Sequence, residues 1–214
     1  MTRIVIADDH AILRAGLRQI IDASGRDFQV VGEAGDGTEV MQRVRDIEFD
    51  VLVLDLSMPG RSGMELIKLV RATRPQLRIL VLSMHQEQQY AVRAIKAGAS
   101  GYLTKEGAPE QLVAALQKIA AGGAYVSADV AEQLALGAMP GAAAPAASSL
   151  LSDREFEIFN LLASGSSVTE IGKRLNLSVK TVSTHKANLM HKLGLNNQSE
   201  LVRYAIKQGH IDPL

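Results

Sequence analysis

Five residues able to carry charge or move protons stand just beyond short apolar runs in this chain. Asp8 and Asp9 follow Arg3–Ala7, Asp55 follows Asp50–Leu54, Ser83 follows Arg78–Leu82, and Lys105 follows Ser100–Leu103. Three carboxylates drawn together repel, and ionising all of them is costly unless a cation joins them. A hard divalent ion such as Mg2+ takes carboxylate oxygens while keeping several waters. A lysine and a hydroxyl facing that ion complete a set suited to phosphoryl chemistry. Metal and lysine neutralise phosphoryl oxygens, the hydroxyl donates a hydrogen bond, and a carboxylate is the nucleophile that becomes an acyl phosphate. Asp55 is the natural nucleophile, because it follows the buried run Val51-Leu52-Val53-Leu54, and Pro59, Gly60 and Gly63 let the next loop turn tightly beside it. Any one of these acids reads more simply as a helix cap or a strand end. Five residues at matching positions do not.

The elements that must position them follow from periodicity. The four apolar runs and a fifth, Gln29–Glu33, are β-branched and continuous rather than alternating, which is the pattern of strands buried on both faces. Between and after them lie the helical patterns Ile12–Ala23, Thr38–Ile47, Gly63–Thr73, Gln86–Ala97 and Pro109–Ala121. Strand–helix alternation of this kind predicts an α/β domain, a doubly wound five-stranded parallel sheet. Ligands in such sheets bind outside the carboxyl ends of the strands, where the five residues fall.

In that order and spacing, Asp8-Asp9, Asp55 within Leu54-Asp55-Leu56-Ser57-Met58-Pro59-Gly60-x-x-Gly63, Ser83 and Lys105 resemble the flavodoxin-like receiver domain of two-component response regulators over residues 1–122. The resemblance implies phosphorylation of Asp55 by a sensor histidine kinase. It implies Mg2+ held by Asp9, Asp55 and the main-chain carbonyl of Ser57, with Asp8 helping through water. It makes Ser83 and Tyr102 the switch, the hydroxyl turning towards the phosphoryl group while the aromatic ring packs inward, with Lys105 contacting the phosphoryl group. Two positions depart from the commonest form: Glu106 follows the lysine where many receivers have proline, and Ser83 stands where threonine is frequent.

The whole chain has 214 residues, 47% hydrophobic and 21% charged, with mean hydropathy +0.07, the balance of a folded globular protein. It contains no cysteine, which excludes disulfide frameworks, thiolate metal sites and cysteine nucleophiles. No apolar run approaches the roughly 18 residues of a spanning helix, and Met1–Asp9 reaches acids too early for a secretory signal. The expectation is a cytoplasmic protein without membrane contact. Leu136–Ser149, with Pro140, Gly141, Pro145 and no charge, reads as flexible linker inside a connecting stretch 123–149. A formal net charge of zero hides an asymmetry: 15 Lys and Arg against 17 Asp and Glu over 1–149, then 8 against 6 over 150–214.

Residues 150–214 show no strand signal. Ser152-x-x-Glu155 is a capping box opening a helix that Gly165 ends, and three helical patterns follow, Val168–Leu175, Val179–Leu193 and Gln198–Gln208. The result is a small all-α unit of four helices. Val168–Leu175, the turn Asn176-Leu177-Ser178 and the helix from Val179 form a helix-turn-helix, the arrangement that lays its second helix in a DNA major groove. Val182, Leu189 and Leu193 share one face of that second helix, and the rest of it carries cations, hydroxyls and an amide without an acid. Lysines and the threonine suit phosphates, while short side chains near the helix start suit base edges. A solvated face on a protein-binding bundle is the plainer alternative.

Leu151-Ser152-x-Arg154-Glu155-x-Glu157-Ile158, Gly165, Glu170-Ile171-Gly172, Leu175, Ser178-x-x-Thr181-Val182-x-x-His185 and Leu189-x-x-Lys192-Leu193 resemble the LuxR-type helix-turn-helix domain over 150–214. That likeness puts Ser183, Thr184 and Ala187 at base-reading positions beside Asn188, and Lys180, Thr181, His185 and Lys192 near phosphates. It places Leu201, Val202 and Ala205 near a dimer contact. Receiver plus LuxR-type domain is the organisation of the NarL/FixJ class of response regulators. It implies a transcription regulator rather than an enzyme, with a histidine kinase, promoter DNA, RNA polymerase and a second copy of itself as partners. A phosphatase using Asp55 would need a general acid two residues on, where Ser57 stands. A receiver that binds a partner without phosphorylation is the other alternative.

Overall fold

A computed structural model describes residues 1–25, 27–58, 63–84, 88–138 and 150–208. It divides into two compact units, Met1–Ala135 and Leu136–Leu214. The first unit alternates β1 (Thr2–Ala7), α1 (Ala11–Ala23), β2 (Phe28–Ala34), α2 (Gly37–Asp46), β3 (Val51–Asp55), α3 (Gly63–Thr73), β4 (Arg78–Ser83), α4 (Gln88–Ala97), β5 (Gly101–Thr104) and α5 (Ala108–Ala120). The strands lie in the order β2-β1-β3-β4-β5 and all pair in parallel. Expected and observed elements agree to within about a residue, and the expected start of α4 at Gln86 lies outside the described residues.

β3 is buried along its whole length, the consequence of helices on both faces of a parallel sheet. One apolar cluster joins Ile4, Ile6, Val51, Val53, Leu80 and Leu82 of the sheet to Leu17 and Ile21 of α1 and Leu112, Leu116 and Ile119 of α5. At full burial each such side chain stabilises the fold by about 1.5–3 kcal/mol. Local signals set the helix starts: the Asp36 carboxylate accepts from the amides of Thr38 and Glu39 and so caps α2.

After α5 comes α6 (Ala128–Ala138), started by Ser127, whose hydroxyl accepts from the Val130 amide at 3.4 Å; residues 123–135, expected to connect the domains, fall within the first compact unit. Tyr125 forms a parallel bridge to Gly101 at the edge of β5. Pro140, Gly141 and Pro145, which carry the linker expectation, lie outside the described residues, as do Pro59 and Gly60.

The second unit holds α7 (Asp153–Ala163), α8 (Val168–Leu175), α9 (Val179–Leu193) and α10 (Gln198–Lys207). The expected capping box is present in full, with the Ser152 hydroxyl accepting from the Glu155 amide and the Glu155 carboxylate accepting from the Ser152 amide. Gly165, at φ 90°, ends α7 through hydrogen bonds from Gly165 N to Leu162 O and Ser166 N to Leu161 O. Phe156, Phe159, Ile171, Leu175, Val182, Leu189 and Leu201 are buried. Among the described residues no helix is long and apolar enough to cross a membrane.

Candidate phosphoacceptor pocket and nucleic-acid interface

The sheet order reverses between β1 and β3, because the chain runs outward from β1 to β2 and then crosses to β3 on its other side. Such reversal points leave a crevice at the carboxyl ends of the strands. Register brings the acids there: Ala7 pairs with Leu54, so the next residues, Asp8 and Asp55, emerge side by side. Asp55 pairs with Leu82 and Ser83 with Thr104, which sets Ser83 and Lys105 one step further along the same edge.

Asp8, Asp55 and Ser83 are buried. Lys105 Nζ donates to Asp55 Oδ2 at 2.8 Å and lies 2.7 Å from Asp8 Oδ2, an ion pair by distance rather than an aligned hydrogen bond. The other oxygen of Asp55 accepts from the Ser57 amide at 2.9 Å, so the loop after β3 folds back on the strand end. Gly63 permits this turn, since a Cβ there would sit 2.8 Å from Leu56 Cα and 2.9 Å from Leu56 O. Burial pushes the Asp55 carboxyl above its ordinary range, and Lys105 and the Ser57 amide only partly oppose it. Burial works against the Lys105 ammonium, yet Asp55 and Asp8 beside it raise its pKa overall. The Lys105 amide donates to Ser83 O at 2.8 Å, tying the two strand ends together, and the Lys105–Glu106 peptide is trans.

Asp9 is more exposed, and next to it stands a residue that the sequence reading passed over. His10 Nδ1 is 2.8 Å from Asp9 Oδ1 and 3.2 Å from Asp8 Oδ1, and one ligand atom from each of Asp8, Asp9, His10 and Asp55 falls within 4.8 Å of the others. Its signal was its place directly after the acid pair. Carboxylate oxygens converging at this spacing are the donor set that a hard divalent cation takes, so the residues fit Mg2+. Tyr102 is buried and lines a cavity of about 260 Å3 with Ala91, Leu103, Thr104 and Tyr125.

In the helical unit, α8 and α9 are joined by Asn176 in the left-handed region at φ 53°, and Leu177 N donates to Gly172 O at 2.8 Å. A Cβ at Gly172 would meet Leu177 O at 2.9 Å. Ser178 caps α9 by accepting from the Thr181 amide, and its hydroxyl lies 2.7 Å from that of Thr181. Lys180, Ser183, Thr184, Ala187 and Asn188 are exposed, while Thr181 and His185 are half-buried. Thr184 donates its hydroxyl proton to Lys180 O at 3.0 Å, leaving only its acceptor side for an outside group. Lys192 is placed differently from the rest: its Nζ is 2.6 Å from Oε2 of the buried Glu155, the capping carboxylate of α7. Val179, 49% exposed at the first turn of α9, is an apolar group on this surface that the sequence reading left out. Between Glu170 and Glu200 there are five Lys and Arg and no acid, so the surface favours a polyanion.

Comparison with known proteins matches residues 4–117 to the response regulator receiver domain and residues 149–205 to the luxR family of bacterial regulatory proteins. The chain is 34% identical to response regulator UvrY of Escherichia coli strain K12, covering 98% of this chain and 95% of that protein. It is 38% identical to the oxygen regulatory protein NreC of Staphylococcus aureus strain JH9, covering 96% and 97%. Among solved structures it resembles RcsB of Salmonella enterica serovar Typhimurium bound to promoter P1flhDC in the presence of the phosphomimetic BeF3−. There the identity is 33%, the TM-score 0.68, and the coverage 95% of this chain and 97% of that one.

Proposed function

The chain belongs to the DNA-binding response regulators that join a receiver domain to a LuxR-type helix-turn-helix domain, a family that regulates transcription and is not enzymatic, and from that premise we propose how its own residues act. Asp55 accepts a phosphoryl group from a sensor histidine kinase. Its carboxylate oxygen attacks phosphorus, the new P–O bond forms as the P–N bond to the kinase imidazole breaks, and the imidazole keeps the electron pair and takes up a proton. The observation that carries this reading is the buried Asp55 carboxylate beside Asp8, with one oxygen on Lys105 Nζ at 2.8 Å and the other on the Ser57 amide.

Asp8, Asp9, Asp55 and the Ser57 carbonyl are the residues to hold Mg2+. The chemistry it supplies when bound is neutralisation of the charge that builds on the phosphoryl oxygens. Lys105 adds a second positive charge from the carboxyl end of β5, on the same edge of the sheet. Ser83 and Tyr102 report the modification, the hydroxyl by a hydrogen bond and the ring by repacking.

The receiver occupies 1–122 and the DNA-binding domain 150–214, with 123–149 between them. Phosphorylation shifts a two-state equilibrium towards a homodimer, with Val202 of α10 at the contact within the DNA-binding domain, while Leu201 and Ala205, which the family likeness also places near that contact, are buried in the chain's own core. Two identical reading helices then meet a two-fold promoter site. Ser183, Thr184, Ala187 and Asn188 face base edges, and Lys180, Thr181, His185 and Lys192 lie near phosphates. The bound dimer acts on RNA polymerase in the cytoplasm.

The test is binding of the full chain to randomised duplexes at fixed salt, with and without Mg2+ and a small phosphodonor, while mass is followed. Expected is one phosphoryl adduct that sharpens selection of a two-fold site. An adduct of the same stoichiometry on Asp55→Asn, or equal binding without any adduct, overturns the reading.

A further inference from the structure

The edge of β5 is covered by the chain's own next segment. Tyr125 O accepts from the amide of Tyr102 at 2.8 Å, and the Tyr125 amide donates to Ser100 O at 3.1 Å. The Tyr125 hydroxyl donates to Gln111 Oε1 on α5 at 3.0 Å, and Lys118 Nζ stands 6.0 Å from its ring centre. Val126 and Val130 line the cavity of about 260 Å3 together with Tyr102 and Ala91, and Val130 is 4% exposed. Gly101 has no room for a side chain beneath this contact: a Cβ would lie 2.7 Å from Ile119 Cδ1 and 2.9 Å from Tyr125 O, and of these only the main-chain oxygen belongs to the strap. Main chain, side chain and a glycine thus agree on one seated position.

We propose that residues 124–130 are a strap held by Tyr102, and that phosphorylation of Asp55 loosens it, altering how the first unit is tethered to the chain that leads into the second. This rests on the phosphoacceptor reading above. The strap is bonded to the residue that the proposed switch repacks: Tyr102 is already buried and lines the cavity shared with Val126 and Val130, so a shift of its ring away from that lining removes apolar contact from the strap. A segment held by two main-chain bonds and few buried side chains opens more often when such contact is lost. Linkage makes the effect reciprocal, so a strap weakened by substitution must favour the phosphorylated form, by at most the factor with which phosphorylation favours strap opening.

The test is hydrogen exchange of the full chain with Mg2+, with and without beryllofluoride, while the bound fluoride is followed by 19F NMR. Expected is exchange of the 124–130 amides faster by roughly fivefold or more in the fluoride-bound protein. Gly101→Ala, which unseats Tyr125, makes them fast in both states and tightens beryllofluoride binding. Tyr125→Phe, which removes only the bond to Gln111, moves both readouts the same way and serves if the glycine variant fails to fold. Strap exchange that is unchanged or slower while bound fluoride is seen overturns the strap. Absence of a bound fluoride signal overturns the phosphoacceptor reading itself, and the two failures are told apart by the NMR arm.

Discussion

Burial and charge pull against each other at Asp55, and burial wins: the carboxyl sits above its ordinary pKa although Lys105 and the Ser57 amide both favour its ionised form. The sign of the consequence is fixed by linkage. A group whose pKa is raised by folding contributes stability below its ordinary pKa and loses that contribution as pH rises through the raised value. Above that raised value the ionised carboxylate beside Asp8 is therefore a local cost retained for chemistry. Asp55→Asn keeps the shape and removes the charge, so it is expected to raise the unfolding free energy of the first unit by about 1 kcal/mol near pH 7. The gain shrinks as pH falls through the carboxylate range. Urea unfolding followed by circular dichroism at both pH values checks this, and a loss of stability at neutral pH would contradict it.

At the scale of the elements, two close contacts set the local geometry. Gly63→Ala would drive a Cβ into the main chain of Leu56, a collision that backbone cannot relieve as a side-chain tip could. The expected cost is about 2 kcal/mol in thermal or urea unfolding, with weaker phosphoryl uptake because the loop beside Asp55 shifts. In the helical unit Glu155 ties the start of α7 to Lys192 near the end of α9. Burial works against its charge, but Lys192 and the Ser152 amide hold its pKa below the usual value. Its stabilisation is thus present above the ordinary glutamate pKa and is lost as pH falls through the lowered one. Lys192→Met should cost about 1–2 kcal/mol at pH 7, less than a fully buried pair because the lysine is partly solvated, and almost nothing in acid. Lys180→Met, on an exposed position, should leave stability unchanged at either pH. Sequence alone made the strands, the helices and the strand-end acids legible, because apolar period and capping chemistry are local. It could not show that Lys192 serves Glu155, 37 residues away, nor that Tyr125 bridges β5, since a single bridging residue leaves no alternation to read. The helix Ala128–Ala138 was hidden by the Gly- and Pro-containing stretch that begins at its end.

At the scale of the whole molecule, zero net charge conceals a division of labour. Residues 150–214 hold 8 Lys and Arg against 6 Asp and Glu, and the acid-free stretch between Glu170 and Glu200 concentrates the positive ones around α9. Binding that depends on phosphate neutralisation must weaken linearly in log K against log salt, with a slope near −0.9 for each phosphate contacted. Lys180→Met is therefore expected to flatten that slope by about 1 per reading helix and to weaken all sequences alike. Ser183→Ala should leave the slope unchanged while relaxing selection at one base position, because a hydroxyl at a base edge carries sequence information and no charge. Two copies reading a two-fold site double both signatures, and the centres of the selected half-sites should lie about one helical turn, 10 base pairs, or a multiple of it apart. Filter or fluorescence titration over a salt series with the selected duplex measures slope and selectivity together. If Lys180→Met changed sequence preference but not slope, the face around Lys180 would not be the one that meets the DNA backbone, and the orientation of α9 in the groove would have to be reversed.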